Sequence, residues 1–156
     1  MNIIDKNGNI LDSTAPLICH QVNCKGAMGA GLAKQIRTRF PSVYQTYRTA
    51  FEHDELKLGA VIFANILEND KNQIIANLCG QDNYGRNIIY TDYDAVTTCL
   101  KTVKAYATAC NINRIAIPYG MSCGLAGGKW EIILDIIKTV FKDTDLNIEI
   151  YSFKGA

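Results

Sequence analysis

Two glycine-rich segments carry the residue types that most directly suggest chemistry. The first glycine loop, residues 26–31, has the sequence GAMGAG, and the second glycine loop, residues 120–128, has the sequence GMSCGLAGG. Each stands between an apolar run and an amphipathic run, which is typical of a strand–loop–helix junction. Backbone amides at such a junction can approach a phosphate closely because glycine has no side chain in the way, and the helix N-terminus favours negative charge.

Together the two loops predict a diphosphate site held by backbone amides. In open α/β sheets ligands bind at the carboxyl ends of strands, where both loops are expected to lie. The net charge is only +1, from 16 basic and 15 acidic residues, so the chain has no excess of cations to bind phosphates. The alternative interpretation of each loop is a tight turn with no ligand.

Neither common nucleotide-binding motif fits these loops. Gly26 and Gly31 have the glycine spacing of a P-loop, but Leu32 stands where that motif requires lysine. The dinucleotide fingerprint fails as well, because Lys34 stands where its third glycine belongs. A different class of phosphate ligand is therefore expected.

The elements that must position the loops alternate between strands and helices. Short apolar runs alternate with longer amphipathic ones, which indicates an α/β protein with buried strands. The predicted strands are residues 2–5, 16–22, 59–67, 73–79, 114–119 and 147–153, and the predicted helices are residues 32–40, 43–53, 91–110 and 129–141. A short polar linker makes the third and fourth strands a hairpin. Thr91 is the predicted N-cap of the longest helix, with Asp94 three residues later.

Length and composition limit the class of protein. The chain has 156 residues, 48% of them apolar and 20% charged, which is the balance of one soluble globular domain. No apolar run approaches the ~20 residues of a membrane span. The N-terminus lacks the basic and apolar segments of a secretory signal. We therefore expect a cytoplasmic monomer whose partners include neither nucleic acid nor a membrane.

The six cysteines are expected to be reduced thiols. They are Cys19, Cys24, Cys79, Cys99, Cys110 and Cys123. Four of them stand in or beside apolar runs, and the expected compartment favours thiols over three disulfides. Cys19, His20 and Cys24 are close in sequence, but no CxxC pair occurs, so no zinc site is predicted. No metal and no other cofactor is expected.

Three segments, taken in order, resemble macrodomains, the fold family that binds ADP-ribose. Residues 18–33, ICHQVNCKGAMGAGLA, are similar to the first ligand loop of that family, and residues 8–11, GNIL, resemble its N-terminal motif. The IPY and SCGLAGGKW segments within residues 117–130 resemble its second phosphate loop. The nearest branch is that of the ADP-ribose 1″-phosphate phosphatases and the related deacylating and deglutamylating macrodomains. The resemblance implies a single macrodomain over residues 1–156, a three-layer α/β/α sandwich around a mixed sheet of roughly six strands.

The resemblance implies a pocket for ADP-ribose or for a derivative such as ADP-ribose 1″-phosphate. The adenine would lie near Gly8, Asn9 and Ile10, with the side-chain carbonyl of Asn9 as an acceptor. The diphosphate would lie between the two glycine loops. The ligand-binding residues implied there are Lys25, Met28, Gly29, Ala30, Gly31, Leu32, Tyr119, Ser122, Cys123, Gly124, Leu125 and Ala126. A solvated position is the alternative for Lys25, and core packing is the alternative for Tyr119 and Trp130.

The resemblance also names residues that would act at the distal ribose. His20 and Asn23 match the His-x-x-Asn spacing of the phosphatase-like branch, in which the asparagine contacts that ribose. A histidine can act as a general acid or base near pH 7, or it can be a buried strand residue bonded to a carbonyl. Asn23 has the alternative role of a turn residue. In the loop after the fourth strand, Asp82 is a candidate base and Arg86 a candidate phosphate clamp, unless that loop is simply polar surface.

Two departures from the family bear on the reaction. The deglutamylating branch has a lysine nucleophile just after the fourth strand and an aspartate after Cys-Gly-Leu, whereas Gln81 and Ala126 stand at those places here. These departures favour a reader of ADP-ribose without turnover. The match of His20 and Asn23 to the phosphatase-like branch favours metal-independent hydrolysis at the distal ribose, which is the predicted function, most concretely removal of the 1″-phosphate with water as the nucleophile. The alternatives are an ADP-ribosyl hydrolase or O-acetyl-ADP-ribose deacetylase in the same pocket, or a non-catalytic reader or sponge for ADP-ribose.

Overall fold

A six-stranded mixed sheet forms the centre of the computed structural model, which describes residues 1–85 and 88–153. The strands are β1 Asn2–Asn7, β2 Leu17–Asn23, β3 Val61–Asn65, β4 Ile74–Gln81, β5 Arg114–Pro118 and β6 Asn147–Ser152. Their order across the sheet is β1-β6-β5-β2-β4-β3. Every neighbouring pair is parallel except β3 and β4, which are antiparallel, so the predicted hairpin is confirmed.

Four helices cover the two faces of this sheet. They are α1 Gly31–Arg39, α2 Pro41–Glu52, α3 Tyr93–Ala109 and α4 Trp130–Phe141. Helices α1 and α2 contribute Ile36 and Val43 to one apolar cluster, whereas α3 and α4 contribute Leu100 and Ile137 to another. The three-layer α/β/α sandwich with a mixed sheet is therefore confirmed.

Strand β2 is buried by helices on both faces of the sheet. Leu17 and Cys19 pack in the cluster of α3 and α4, whereas Ile18 packs in the cluster of α1 and α2, and all three are fully buried. Because successive side chains of a strand point to opposite faces, a strand covered on both sides must be apolar at consecutive positions. The uninterrupted apolar run correctly predicted a central strand.

The chain leaves two adjacent strands toward opposite faces of the sheet. Strand β2 leads to α1 on one face, and its parallel neighbour β5 leads to α4 on the other. A crevice opens at the carboxyl ends of two such strands, and this is where α/β sheets bind ligands. The two glycine loops follow these two strands, as the sequence predicts.

The predicted N-cap of α3 is wrong by one residue. Asp92 is the N-cap, and its carboxylate accepts a hydrogen bond from the Ala95 amide at 3.0 Å. Thr91 instead forms a bridge with Gln81 at the end of β4, and its hydroxyl donates to the Ser122 carbonyl at 2.7 Å. The other helix and strand boundaries differ from prediction by no more than two residues. A 3-10 helix at Ile10–Asp12 was not predicted.

Three further findings concern the described residues. All six cysteines are free, and Cys19, Cys24, Cys79 and Cys99 are buried. Across residues 1–85 and 88–153, His, Cys, Asp and Glu side chains form no group of three that could hold a metal ion. In the same ranges, no helix combines the length and the apolar character needed to cross a bilayer.

Replacing Asp92 with alanine should lower the free energy of unfolding by about 1 kcal/mol, because α3 loses its N-cap hydrogen bond. Asp92→Ser keeps a capping oxygen and should recover most of that loss. Urea denaturation of the two variants and the parent chain measures the difference. A denaturation midpoint that Asp92→Ala leaves unchanged would show that the cap contributes nothing.

Candidate functional site

A cleft of about 560 Å³ lies at the carboxyl ends of the parallel strands β2, β4 and β5. This volume falls within the range of about 300–1,000 Å³ that is common for small-molecule sites. The first glycine loop and the start of α1 line one side, and the second glycine loop lines the other. The crevice at the strand ends is therefore large enough to hold a ligand between the two loops.

Most of the predicted site residues come together in this cleft. Those that line it are His20, Asn23, Gly29, Ala30, Gly31, Leu32, Tyr119, Ser122, Gly124, Leu125 and Ala126. The Tyr119 side chain is 59% exposed and contacts the half-buried Trp130, with ring centroids 5.0 Å apart. Core packing is therefore the wrong role for Tyr119.

Other predicted residues lie outside the lining of the cleft. These are Gly8, Asn9, Ile10, Lys25, Met28, Asp82 and Cys123. Ile10 and Met28 are buried in apolar clusters. The Asn9 side-chain oxygen accepts from the Leu11 amide at 3.0 Å and caps the 3-10 helix. A ligand contact for any of these residues stays a prediction.

Lys25 and Asp82 pair with each other beside the cleft. The Lys25 Nζ lies 3.2 Å from the Asp82 Oδ2, and both side chains are exposed. An ion pair of this kind contributes only about 0–1 kcal/mol to stability. The Cys24 amide also donates to the Asp82 carbonyl at 2.9 Å, so the chain before the first glycine loop is tied to the chain after β4. Arg86, the predicted clamp in the same loop, lies outside the described residues.

Six of the backbone amides that have no hydrogen-bond acceptor among residues 1–85 and 88–153 form one run of three consecutive residues in each loop, and all six of these residues line the cleft. They belong to Gly29, Ala30, Gly31, Gly124, Leu125 and Ala126. Ala30 is the N-cap of α1 and makes no capping bond with its side chain, so the first amides of that helix stay free. A Cβ added at Gly29 or Gly124 would meet no atom within 4 Å, so both glycines border open space. Free amides beside a helix N-terminus are the usual donors to a bound phosphate.

The cleft carries no formal charge in its described lining. No Lys, Arg, Asp or Glu side chain is found among the described residues that line it. A bound diphosphate would therefore be stabilised by amide dipoles and the α1 N-terminus rather than by cations. His20 is the one described lining residue whose ordinary pKa lies near neutrality.

His20 is a buried strand residue that also lines the cleft. It is 2% exposed, and its Nε2 lies 2.6 Å from Oδ1 of Asn77 on the neighbouring strand β4. Burial lowers the pKa of His20 to about 4, and the hydrogen bond with Asn77 only partly opposes that shift. The imidazole is therefore neutral at pH 7. His20 is thus a buried strand residue bonded to the carbonyl oxygen of a side-chain amide, and a catalytic role for it stays a prediction.

The Asn23 amide shapes the first glycine loop. Its Oδ1 accepts from the Lys25 amide at 2.9 Å, and its Nδ2 donates to the Ala27 carbonyl at 2.8 Å. The Tyr47 hydroxyl donates to the backbone carbonyl of Asn23 at 2.6 Å. Tyr47 is fully buried, and burial raises the pKa of its hydroxyl. Asn23 is thus a turn residue, as the alternative expects, and one Nδ2 hydrogen is left for a ligand.

Gln21 is a site residue that the sequence analysis missed. Its Nε2 donates to Gln81 Oε1 at 2.8 Å and to Thr91 Oγ1 at 3.1 Å, and its Oε1 accepts from the Ser122 hydroxyl. This side chain therefore connects β2, the end of β4 and the second glycine loop. The available signal was an amide side chain at the end of a buried central strand, where a polar group needs a partner.

The hydrogen bonds around Ser122 hold the second glycine loop in a conformation that side chains rarely adopt. Ser122 has a φ of 72°, and its carbonyl accepts from the Thr91 hydroxyl at 2.7 Å and the Gly128 amide at 2.8 Å. A Cβ at Gly128 would lie 2.5 Å from that carbonyl oxygen, so only glycine fits there. Such backbone strain persists only where the surroundings determine it, and it is common at functional sites.

Comparison with known proteins identifies the family. Residues 19–137 match the Macro domain family. The chain belongs to the macrodomain family. A curated relative, the DNA ADP-ribosyl glycohydrolase of Mycobacterium tuberculosis, is 23% identical over 152 residues, which are 96% of this chain and 42% of the relative. This chain therefore spans about two-fifths of the length of that relative.

Solved structures share the fold of this macrodomain. The macrodomain of Mycobacterium tuberculosis DarG has a TM-score of 0.85 at 23% identity, covering 96% of each chain. The structure of Thermosipho africanus DarTG in complex with ADP-ribose has a TM-score of 0.79 at 21% identity, covering 95% of this chain and 41% of that one. At these identities the likeness concerns the fold.

Gln21→Ala should lower the free energy of unfolding by about 1–3 kcal/mol, because three polar partners lose a hydrogen bond in a half-buried site. The Gly128 amide should also exchange its hydrogen faster, since the Ser122 carbonyl that it binds is no longer held in place. Denaturation and amide exchange measured by NMR test both effects. Gln45→Ala on the exposed side of α2 is the control, and equal losses in the two variants would contradict a positioning role for Gln21.

Proposed function

We propose that this macrodomain binds ADP-ribose in the cleft, with the diphosphate on the free amides of the two glycine loops. The observation that carries this proposal is the set of six unpartnered amides on two sides of one uncharged cleft. Such an arrangement suits a diphosphate, because its oxygens can accept several amide bonds at once. The family and the relative whose structure is in complex with ADP-ribose support the same ligand.

We further propose that the protein hydrolyses derivatives of ADP-ribose that carry a substituent on C1″ of the distal ribose, so that water releases the substituent and leaves ADP-ribose. The polar side chains at the end of β2 favour this end of the cleft for the ribose, because His20 and Asn23 both line it. Curated relatives named DNA ADP-ribosyl glycohydrolases support cleavage at the ADP-ribosyl linkage. The sequence resemblance supports removal of a 1″-phosphate. Both reactions need a water molecule positioned beside the same carbon or its substituent.

The neutral imidazole of His20 fits the role of proton acceptor for that water. A pKa of about 4 makes the ring a weak base, so its contribution lies in orienting the water as much as in removing a proton. Oriented amides at the diphosphate would hold the ligand in place for the reaction.

A non-catalytic reader of ADP-ribose is the second candidate. Gln81 and Ala126 both line the cleft at the places where the deglutamylating branch has a lysine and an aspartate. The described lining thus contains no charged side chain that could serve as a nucleophile or a strong base. Such a protein would bind the same ligand and release no product.

ADP-ribose should stabilise the fold, because a ligand that binds only the folded chain raises the free energy of unfolding. At a ligand concentration near 100 times Kd, the expected gain is about 2.7 kcal/mol in the free energy of unfolding. Thermal denaturation with ADP-ribose, AMP and NAD separates the ligands. An unchanged Tm with ADP-ribose, together with a shifted Tm with AMP or NAD, would contradict the proposal.

Gly29→Val and Gly124→Val should each abolish ADP-ribose binding and leave the fold intact. Neither glycine has a positive φ, and an added side chain would enter open space where the diphosphate is expected. Calorimetry measures the affinity, and circular dichroism with thermal denaturation confirms folding. Ala105→Val on the exposed side of α3 is the matched control. Affinity near that of the parent chain would mean that the loops are only turns.

His20→Ala should lower turnover by about 10²-fold or more and change ADP-ribose affinity little, because its effect falls on the transition state. Asn23→Ala should weaken both, since it shapes the loop as well. The neutral ring is the active form, so initial rates should be level around neutral pH and fall only as the pH approaches about 4.

Two substrates distinguish the reactions. Phosphate release is measured with ADP-ribose 1″-phosphate, and ADP-ribose release is measured with ADP-ribosylated DNA. Activity is expressed per folded molecule, because His20 is buried. If the parent chain binds ADP-ribose and releases neither product, the protein is a non-catalytic reader of ADP-ribose and the proposed hydrolase is wrong.

A further inference from the structure

The side chain of Asn77 has one orientation that satisfies its neighbours. Asn77 is fully buried on β4, and its Nδ2 donates to the Ile62 carbonyl at 2.9 Å. A carbonyl oxygen can only accept, so the amino group must face Ile62 on β3. The Asn77 Oδ1 must then face His20 on the other side, as its distance of 2.6 Å from Nε2 shows.

This orientation determines which imidazole nitrogen carries the proton. Oδ1 of an amide has no hydrogen, so the short contact requires that His20 Nε2 donates. Burial keeps the ring neutral at pH 7 by lowering its pKa to about 4. A neutral ring that is protonated at Nε2 carries its lone pair at Nδ1.

His20 Nδ1 is then a hydrogen-bond acceptor without a donor. It is buried and has no partner among residues 1–85 and 88–153. Leaving a buried acceptor unsatisfied costs about 1–3 kcal/mol, so such atoms usually meet a water or a ligand. His20 is also one of the residues that line the cleft, although Nδ1 itself exposes almost no surface, so a donor in the cleft would reach it only with a movement of the lining.

We infer that Asn77 is a positioning residue that holds His20 as its Nε2–H tautomer, so that Nδ1 accepts a hydrogen bond from a hydroxyl group or a water molecule in the cleft. If the hydroxyl group belongs to ADP-ribose, that part of the inference rests on the proposed function. The consequence is directional. His20 can take a proton or orient a donor through Nδ1, but it has no proton there to give to a leaving group.

Nitrogen NMR of the labelled parent chain tests the tautomer without ligand. The chain has only two histidines, His20 and His53. His53 Nδ1 lies 2.8 Å from the Thr49 carbonyl and so must donate, which makes it an internal reference for a proton on Nδ1. His53→Gln assigns the signals. The expected spectrum at pH 7 shows His20 protonated at Nε2 and bare at Nδ1, and a proton on Nδ1 would overturn the inference.

Addition of ADP-ribose tests whether Nδ1 of His20 accepts a hydrogen bond from the ligand. If the ligand binds by calorimetry, the His20 Nδ1 resonance should shift while both His53 resonances stay in place. Binding with an unmoved Nδ1 resonance would overturn the acceptor role. If ADP-ribose does not bind, the proposed function is wrong, and so is the hydrogen bond from this ligand to Nδ1. The tautomer assignment is still decided by the ligand-free spectrum.

Asn77→Ala tests the positioning role. Asn77 does not line the cleft, so KM should stay near that of the parent chain while kcat falls about tenfold, and His20 should show a mixture of tautomers. Ile75→Ala, which also removes a buried side chain from β4, is the control for lost stability and should keep the Nε2–H tautomer. An unchanged tautomer and kcat in folded Asn77→Ala would reduce Asn77 to a structural residue. If Asn77→Ala does not fold, the spectrum of the parent chain still decides the assignment.

Discussion

Three of the last four residues of β2, namely His20, Gln21 and Asn23, place polar side chains between the two layers of helices. A buried polar group without a partner costs free energy, so each of these side chains must find a hydrogen bond in a neighbouring element. His20 meets Asn77 on β4, Gln21 meets Ser122 of the second glycine loop, and Asn23 meets Ala27 of the first glycine loop. The hydrogen bonds that these side chains require thereby determine how the strands and loops around the cleft are arranged.

This arrangement also decides which groups are left for a ligand. The side chains at the strand end are largely committed to partners in neighbouring elements, whereas six amides of the two loops are free. A site built in this way recognises phosphate through fixed backbone dipoles, which need little reorganisation when the ligand binds. It also needs no cation, which agrees with a chain whose basic and acidic residues almost balance.

The elements with a strong local signal could be predicted from the sequence. The apolar run of β2 indicated a central strand, and the two glycine loops indicated the cleft, because both signals arise from neighbouring residues. The partners of the polar side chains could not be predicted, since they depend on register. His20 lies opposite Asn77, 57 positions later, only because β2 and β4 pair in parallel. Thr91 and Asp92 are both good caps, and pairing of Thr91 with Gln81 leaves Asp92 as the cap.

The missing side chain of glycine has two different uses in these loops. The difference separates the positions where the cleft can be redesigned from those where it cannot. At Gly26 and Gly128 the missing side chain makes room for the protein itself, since a Cβ would lie 2.6 Å from Arg48 Nη1 and 2.5 Å from the Ser122 carbonyl. At Gly29 and Gly124 it leaves room that the protein does not fill. A library that varies only positions 29 and 124 would therefore reshape the cavity for smaller or differently substituted ligands at little risk to folding.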